Sequence, residues 1–298
     1  MSLKNIFDAM KKEGYIIPEL DKYLLSLDAK DADRAKNVNA PSSVGQCLRA
    51  RYYSRTGAPC DPCSVDARTR RIFDNGTGVH ERLQNYLRIQ GMLLQDEVPI
   101  INEEYNIQGH TDGILQLSPS EIGVLEIKSI NSRNFGELKS EKPEHRKQGL
   151  VYLYCLETRR QYLQQKYATE QDFKKSSTVR SMKYAKFYSY LKDGSKFSKG
   201  EKIKFQVQLC KKADDILYHC KRPITKVIFL YENKDTQDLK EFCVSSTEAN
   251  SKEVIDSFLA EFVALNEAVE KGVKPEREGR CKSDNLCRWC NYKTECWN

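Results

Sequence analysis

Apolar residues recur at helical spacing in several stretches of this chain and alternate, or run together, in several shorter ones. Residues 3–13 and 19–29 read as short amphipathic helices with Gly14 and Pro18 between them. "PSSVGQCLRARYYSRTG" opens on serines suited to capping and reads as a helix ending at Gly57. Residues 66–90 form a long helical pattern, and residues 93–101, 105–117 and 122–130 follow as strands. Pro143 opens a helix running to about Tyr167. Residues 224–245 read as a second hairpin turning near Asp235–Asp238, and an amphipathic helix then stops at Gly272. Strand runs between helices predict an α/β sheet with helices packed on it, in one large domain or two small ones.

Composition leaves that picture standing. With 39% hydrophobic and 31% charged residues in 298, the chain is an ordinary globular one. The first fifteen residues lack the apolar core of a signal peptide, and no apolar run reaches membrane-spanning length. The expectation is a cytoplasmic protein with no membrane partner. Net charge is +7, but residues 166–226 hold sixteen Lys/Arg against six Asp/Glu. Tyr184, Phe187, Tyr188, Tyr190 and Phe197 lie among them. Residues 168–222 are therefore a basic insertion, either a solvated, partly mobile segment or a groove for a polyanion with stacking bases.

The chemistry concentrates in "GHTDGILQLSPSEIGVLEIKS", residues 109–129. Pairing this hairpin symmetrically about Pro119 sets Asp112 opposite Glu126, Ile114 opposite Val124 and Gln116 opposite Ile122. Opposed carboxylates repel, so one must take a proton or a cation must lie between them. Lys128 leaves the same strand face as Glu126. Oxygen ligands of this kind suit Mg2+ or Mn2+, and the Ile127 carbonyl is placed to add one more. Such a cation beside an ammonium implies phosphodiester hydrolysis. An E-x-K tripeptide alone is more commonly an exposed ion pair; the cross-strand Asp is what raises its interest. His80 shares a helical face with Leu83, Gln84 and Leu87, as a metal ligand or as an ordinary hydrogen-bonded residue. Gln148 and Tyr152 are neighbours one turn apart, able to order a phosphate or simply to cap the core.

"GVHERLQ", "GHTDG", "LEIKS" and "QGLVY" occur here in the order and spacing of the PD-(D/E)xK nuclease superfamily, RecB-like branch, which this sequence resembles. The resemblance implies a single α/β domain over residues 1–298 with a restriction-endonuclease-like core, a mixed central sheet flanked by helices, and His80, Asp112 and Glu126 as metal ligands. It makes Lys128 the catalytic lysine and Gln148 and Tyr152 an ordering pair. It further implies a DNA exonuclease acting on single strands or duplex ends, in recombination, repair, replication or CRISPR-type processing. A restriction-type endonuclease and a non-catalytic nucleic-acid-binding protein are the alternatives. No Walker A pattern occurs, so the chain would act alone or lend cleavage to a helicase or recombination partner.

Eleven cysteines are many for this length, and four lie in the last eighteen residues. Cys281, Cys287, Cys290 and Cys296 suit a four-thiolate zinc or iron–sulfur site. The chain also resembles AddB-type nuclease domains and CRISPR-associated RecB-type exonucleases. That resemblance implies a 4Fe–4S cluster on Cys47, Cys287, Cys290 and Cys296, joining residues 41–57 to residues 279–298. Cys281, or the Cys60/Cys63 pair, could instead supply ligands. Cys155, Cys210, Cys220 and Cys243 read as plain buried thiols.

Overall fold

A computed structural model describes residues 15–26, 37–61, 66–187, 199–279, 283–288 and 290–298. The expected helix over residues 3–13, together with Cys63, Cys281, Tyr188, Tyr190 and Phe197, lies outside the described residues. The fold is α/β, a five-stranded mixed sheet flanked by helices. In chain order the elements are α1 (Ile16–Ser26), α2 (Leu48–Thr56), α3 (Ala67–Ile89), β1 (Leu93–Asn102), β2 (Ile107–Ser118), β3 (Glu121–Ile130) and α4 (Ser132–Glu137). There follow α5 (Pro143–Lys166), α6 (Glu170–Phe187), α7 (Lys199–His219), β4 (Lys226–Asn233), β5 (Leu239–Ser245), α8 (Ala249–Lys271), α9 (Asn285–Arg288) and α10 (Lys293–Trp297).

The sheet keeps sequence order, β1-β2-β3-β4-β5. Every neighbouring pair is antiparallel except β3–β4, which is parallel. A parallel pair needs a crossover, and here it consists of α4 to α7. One sheet face buries Ile114, Val124 and Phe229 against Leu150, Val151 and Leu153 of α5, with Phe258 and Phe262 of α8 behind. The other buries Leu115, Leu125, Ile127 and Ile228 against Val79 and Leu83 of α3. A Cβ on Gly149 would lie 2.5 Å from Phe229 Cζ, so glycine lets α5 seat closely on β4.

Local signals account for the element ends. Asp66 caps α3 by accepting from Thr69 N–H at 2.6 Å, and Asn131 caps α4 by accepting from Asn134 N–H at 2.9 Å. Gly57 and Gly272 end α2 and α8 at φ of 69° and 65°. The segment 41–57 is not one helix as expected. Pro41–Ser43 makes a single 3-10 turn, Gly45 takes φ 82°, and α2 starts only after Cys47.

The basic insertion, residues 168–222, is helical over most of its described part. Its described parts are α6 and α7, packed together, with Phe173 stacked on Tyr218 at 4.0 Å between ring centres. Tyr184 is buried beneath the Arg159 guanidinium at 3.8 Å, so it offers no face to a base. Arg159 and Arg180 both pair with buried Asp214 at 2.6 Å. Some of the positive charge thus ties the helices down. Cys155 and Cys210 are buried as expected, whereas Cys243 is exposed on edge strand β5 and Cys220 is half-buried. Among the described residues no helix is long and apolar enough to cross a membrane.

Candidate active site and thiol cavity

The β2–β3 ladder holds the expected register, pairing Gln116 with Ile122, Ile114 with Val124 and Gly113 with Leu125. There the paired register ends. Side chains bridge the parting strands: Thr111 Oγ1 donates to Leu125 O at 2.8 Å, and Ile127 N–H donates to Asp112 Oδ2 at 2.6 Å. Asp112 and Glu126 therefore meet at a split in the sheet, where the ladder expected from the sequence has already opened. Glycine is needed beside it, because a Cβ on Gly113 would lie 2.5 Å from Leu93 Cδ1 and 2.9 Å from Gln95 O.

Helix α3 delivers His80 to this split. Its Nδ1 lies 3.0 Å from Asp112 Oδ1. One turn on, Gln84 Nε2 donates to the Asp112 carbonyl at 2.9 Å. From the sequence Gln84 reads only as part of an apolar stripe; an amide on such a stripe, buried in the structure, is the signal that marks it. Helix α5 contributes from the other layer. Lys128 Nζ lies 2.6 Å from Glu126 Oε1 and donates to Gln148 Oε1 at 3.1 Å. Gln148 Nε2 in turn donates to Tyr152 OH at 2.7 Å. The structure thus links His80 to Asp112, and Glu126 to Lys128, Gln148 and Tyr152.

Electrostatics mark Glu126. It is 2% exposed. Burial, with the Asp112 carboxylate adding to it, pushes its pKa from 4.5 up to about 8 despite Lys128. A neutral carboxyl still accepts the Lys128 N–H through its carbonyl oxygen. Burial works against the His80 imidazolium, but the hydrogen bond and charge of Asp112 outweigh it and raise that pKa. His145, on α5 one turn before Gln148, was not singled out from the sequence. Burial and the Lys128 charge hold it down at about 4, and its Nδ1 lies 2.7 Å from Tyr231 OH.

A divalent cation fits the chemistry of this donor set. A buried acid made reluctant to ionise by a second carboxylate is what a bound cation relieves. His80 turns Nδ1 to Asp112, which leaves Nε2 for a metal. Among the described residues no three His, Cys, Asp or Glu side chains already stand in metal-holding geometry.

The second chemical cluster lies where residues 47–61 meet the C-terminal segment. Cys47, Cys287, Cys290 and Cys296 line one small cavity of about 20 Å3, with Tyr53, Gly279 and Trp297. Cys47 sits at the N-cap of α2. Around it Leu48 N–H donates to Glu278 Oε1 at 2.5 Å, Arg49 Nη1 to Pro275 O at 3.1 Å, and Asp61 N–H to Asn291 O at 2.6 Å. Tyr292 N–H points at Cys290 Sγ, 3.4 Å away. A Cβ on Gly279 would lie 2.5 Å from Cys287 Sγ, so a larger residue would crowd that sulfur. Cys60 is exposed and does not line the cavity. Burial raises the Cys47 pKa, so this thiol stays protonated unless a metal takes the proton's place.

No family model and no curated protein matches the chain. Among solved structures it is similar to a crystal structure of SSO0001, at 16% identity over 95% of this chain and 96% of that one, with a TM-score of 0.45.

Proposed function

We propose that the chain is a metal-dependent deoxyribonuclease of the PD-(D/E)xK superfamily, RecB-like branch, on a restriction-endonuclease-like core. One observation carries the reading: buried Glu126 stands between Asp112 and Lys128 at the point where β2 and β3 part. His80, Asp112, Glu126 and the Ile127 carbonyl would hold Mg2+ or Mn2+. When bound, the cation supplies Lewis acidity at a phosphate oxygen and eases deprotonation of water.

The chain's own residues do the rest. The Gln148 amide is oriented at both ends, donating to Tyr152 and accepting from Lys128. Lys128 is thereby held with its ammonium beside Glu126, where it offsets negative charge growing on the phosphate. Asp112 holds the His80 ring through Nδ1 and the β3 backbone through Ile127 N–H, so one carboxylate aligns both sides of the site. The cleaved bond is P–O, water supplies the new oxygen, and the leaving oxygen departs as a hydroxyl.

The thiol cavity supports a 4Fe–4S cluster on Cys47, Cys287, Cys290 and Cys296. All four cysteines line one cavity between α2 and the C-terminal segment, and thiolates are the ligands that such clusters use. The cluster would be structural, tying α2 to the C-terminal segment. A role in recombination, repair, replication or CRISPR-type processing, alone or beside a helicase, is consistent with such an enzyme.

End-labelled single- and double-stranded DNA, and closed circles, digested with and without Mn2+ test the proposal. Shortening from labelled ends with circles left intact is expected. Cut circles would make it an endonuclease, and no cleavage of any DNA would overturn the reading.

A further inference from the structure

A second cleft opens beside the site and has no part in the chemistry above. It is an open cleft of about 260 Å3 between α3 and the β4–β5 turn, lined by Arg68, Arg71, Ile72, Asn75, Lys234 and Asp235. Three cationic side chains face one carboxylate. That carboxylate is engaged: Asp235 Oδ2 accepts from Ser132 N–H and Ser132 Oγ at 2.8 Å each. Lys234 N–H donates to Ile130 O at 2.9 Å, which pins the turn to the end of β3.

The cleft shares α3 with the candidate centre, and its turn is bonded to the end of β3. On β3, Ser129 follows Lys128 directly, and a Cβ on Gly76 would lie 3.8 Å from Ser129 Oγ. Gly76 thus stands where α3 passes close to the end of β3. On α3, Asn75 and Arg68 precede His80 by five and twelve residues. At 1.5 Å per residue these lie about 7.5 and 18 Å along the helix from His80. A stacked strand advances about 3.4 Å per nucleotide, so the two positions lie roughly two and five nucleotides away.

We infer that this cleft binds backbone phosphates of the nucleic-acid strand on one side of the scissile bond, with Asn75 nearest the centre and Arg68 and Lys234 beyond it. The ligand class is a polyanionic strand, read through its phosphates and not its bases. The inference rests on the nuclease reading for its direction along the strand. Arg71 serves differently, pairing with Asp21 of α1 and so fastening that helix to the cleft wall.

The test uses the full chain carrying Arg68→Ala and Lys234→Ala together, with Lys271→Ala on distant α8 as the control. Melting temperatures of all three proteins are measured first, so that any misfolding is seen. Binding of a fluorescent twelve-nucleotide single strand is then followed by anisotropy in EDTA, from low to high salt. Loss of two phosphate contacts flattens the slope of log K against log salt by about 1.4, at about 0.7 per contact on a single strand. The expected result is that flattening, binding weakened at least tenfold at low salt, and a rise in KM for cleavage that the control lacks. Equal affinity and equal slope in a folded double variant would overturn the cleft assignment while leaving cleavage, and so the nuclease reading, intact. If the wild type binds but cuts nothing, the nuclease reading falls, and the anisotropy series alone upholds or overturns the cleft as a polyanion site.

Discussion

Asp112 Oδ2 accepts the backbone N–H of Ile127 at 2.6 Å, a side chain from β2 bonded to the backbone of β3. This bond lies where the ladder gives out, and it puts the two acidic residues in an opening between strands rather than on a closed sheet.

Removing the ammonium should separate binding from cleavage. Lys128→Ala is expected to retain DNA affinity and to lose cleavage by about 10²–10³-fold, the size of one preorganised electrostatic contact. Single-turnover rates beside anisotropy measure both. Undiminished cleavage would remove Lys128 from the reaction. Glu126→Ala should abolish metal-dependent cleavage altogether.

The Glu126 environment predicts how stability depends on pH. Its folded pKa of about 8 lies above its ordinary value of 4.5. Between those values the folded, metal-free protein holds a proton that the unfolded chain releases. Its contribution is therefore present at low pH and fades as pH rises toward 8. The raised pKa of His80 acts with the same sign. His145, held at about 4, acts oppositely and only below its ordinary value of 6.5. Comparing wild type with Glu126→Gln isolates the first effect. In EDTA, urea melts from pH 5 to pH 9 should show the variant gaining relative stability as pH rises. A constant difference would mean that Glu126 is not held protonated.

The four-thiol cavity predicts a brown protein with broad absorption near about 400 nm, as expected of thiolate-ligated iron, and a defined iron and sulfide content. A cross-link between residues 240 positions apart is worth roughly 5 kcal/mol by loop-closure reasoning. Cys290→Ser should bleach the colour and lower the melting temperature sharply, while Cys60→Ser should do neither. A colourless, zinc-loaded protein prepared without oxygen would count against the cluster.

Close packing at Gly149 gives a purely structural check. Gly149→Ala pushes a methyl into Phe229 and Val227, contacts of 2.5 and 2.8 Å. The expected cost is about 1–3 kcal/mol, read as a shift in the urea midpoint. Because the same helix carries Gln148 and Tyr152, cleavage should fall with it.

By itself the sequence determined the strands, the helices α1, α2, α3, α5 and α8, and the register of the central hairpin. These follow from short-range causes: alternation, helical spacing, Asp66 and Asn131 as caps, Gly57 and Gly272 as stops. The same short range put Glu126 and Lys128 on one face and His80 on the face of α3 that meets the sheet. Only the tertiary structure decided depth and meeting. It parted β2 from β3 at Asp112, ran β3 parallel to β4, and drew Gln84 into the site. It also buried Tyr184 in a helical pair rather than offering it to a ligand, and brought Cys47 to a cavity shared with three cysteines from the chain's far end. Periodicity says which way a side chain points along its own element. How deeply it is buried, and what charge stands beside it, depends on residues remote in sequence, and those set the protonation of Glu126 and the company of each thiol.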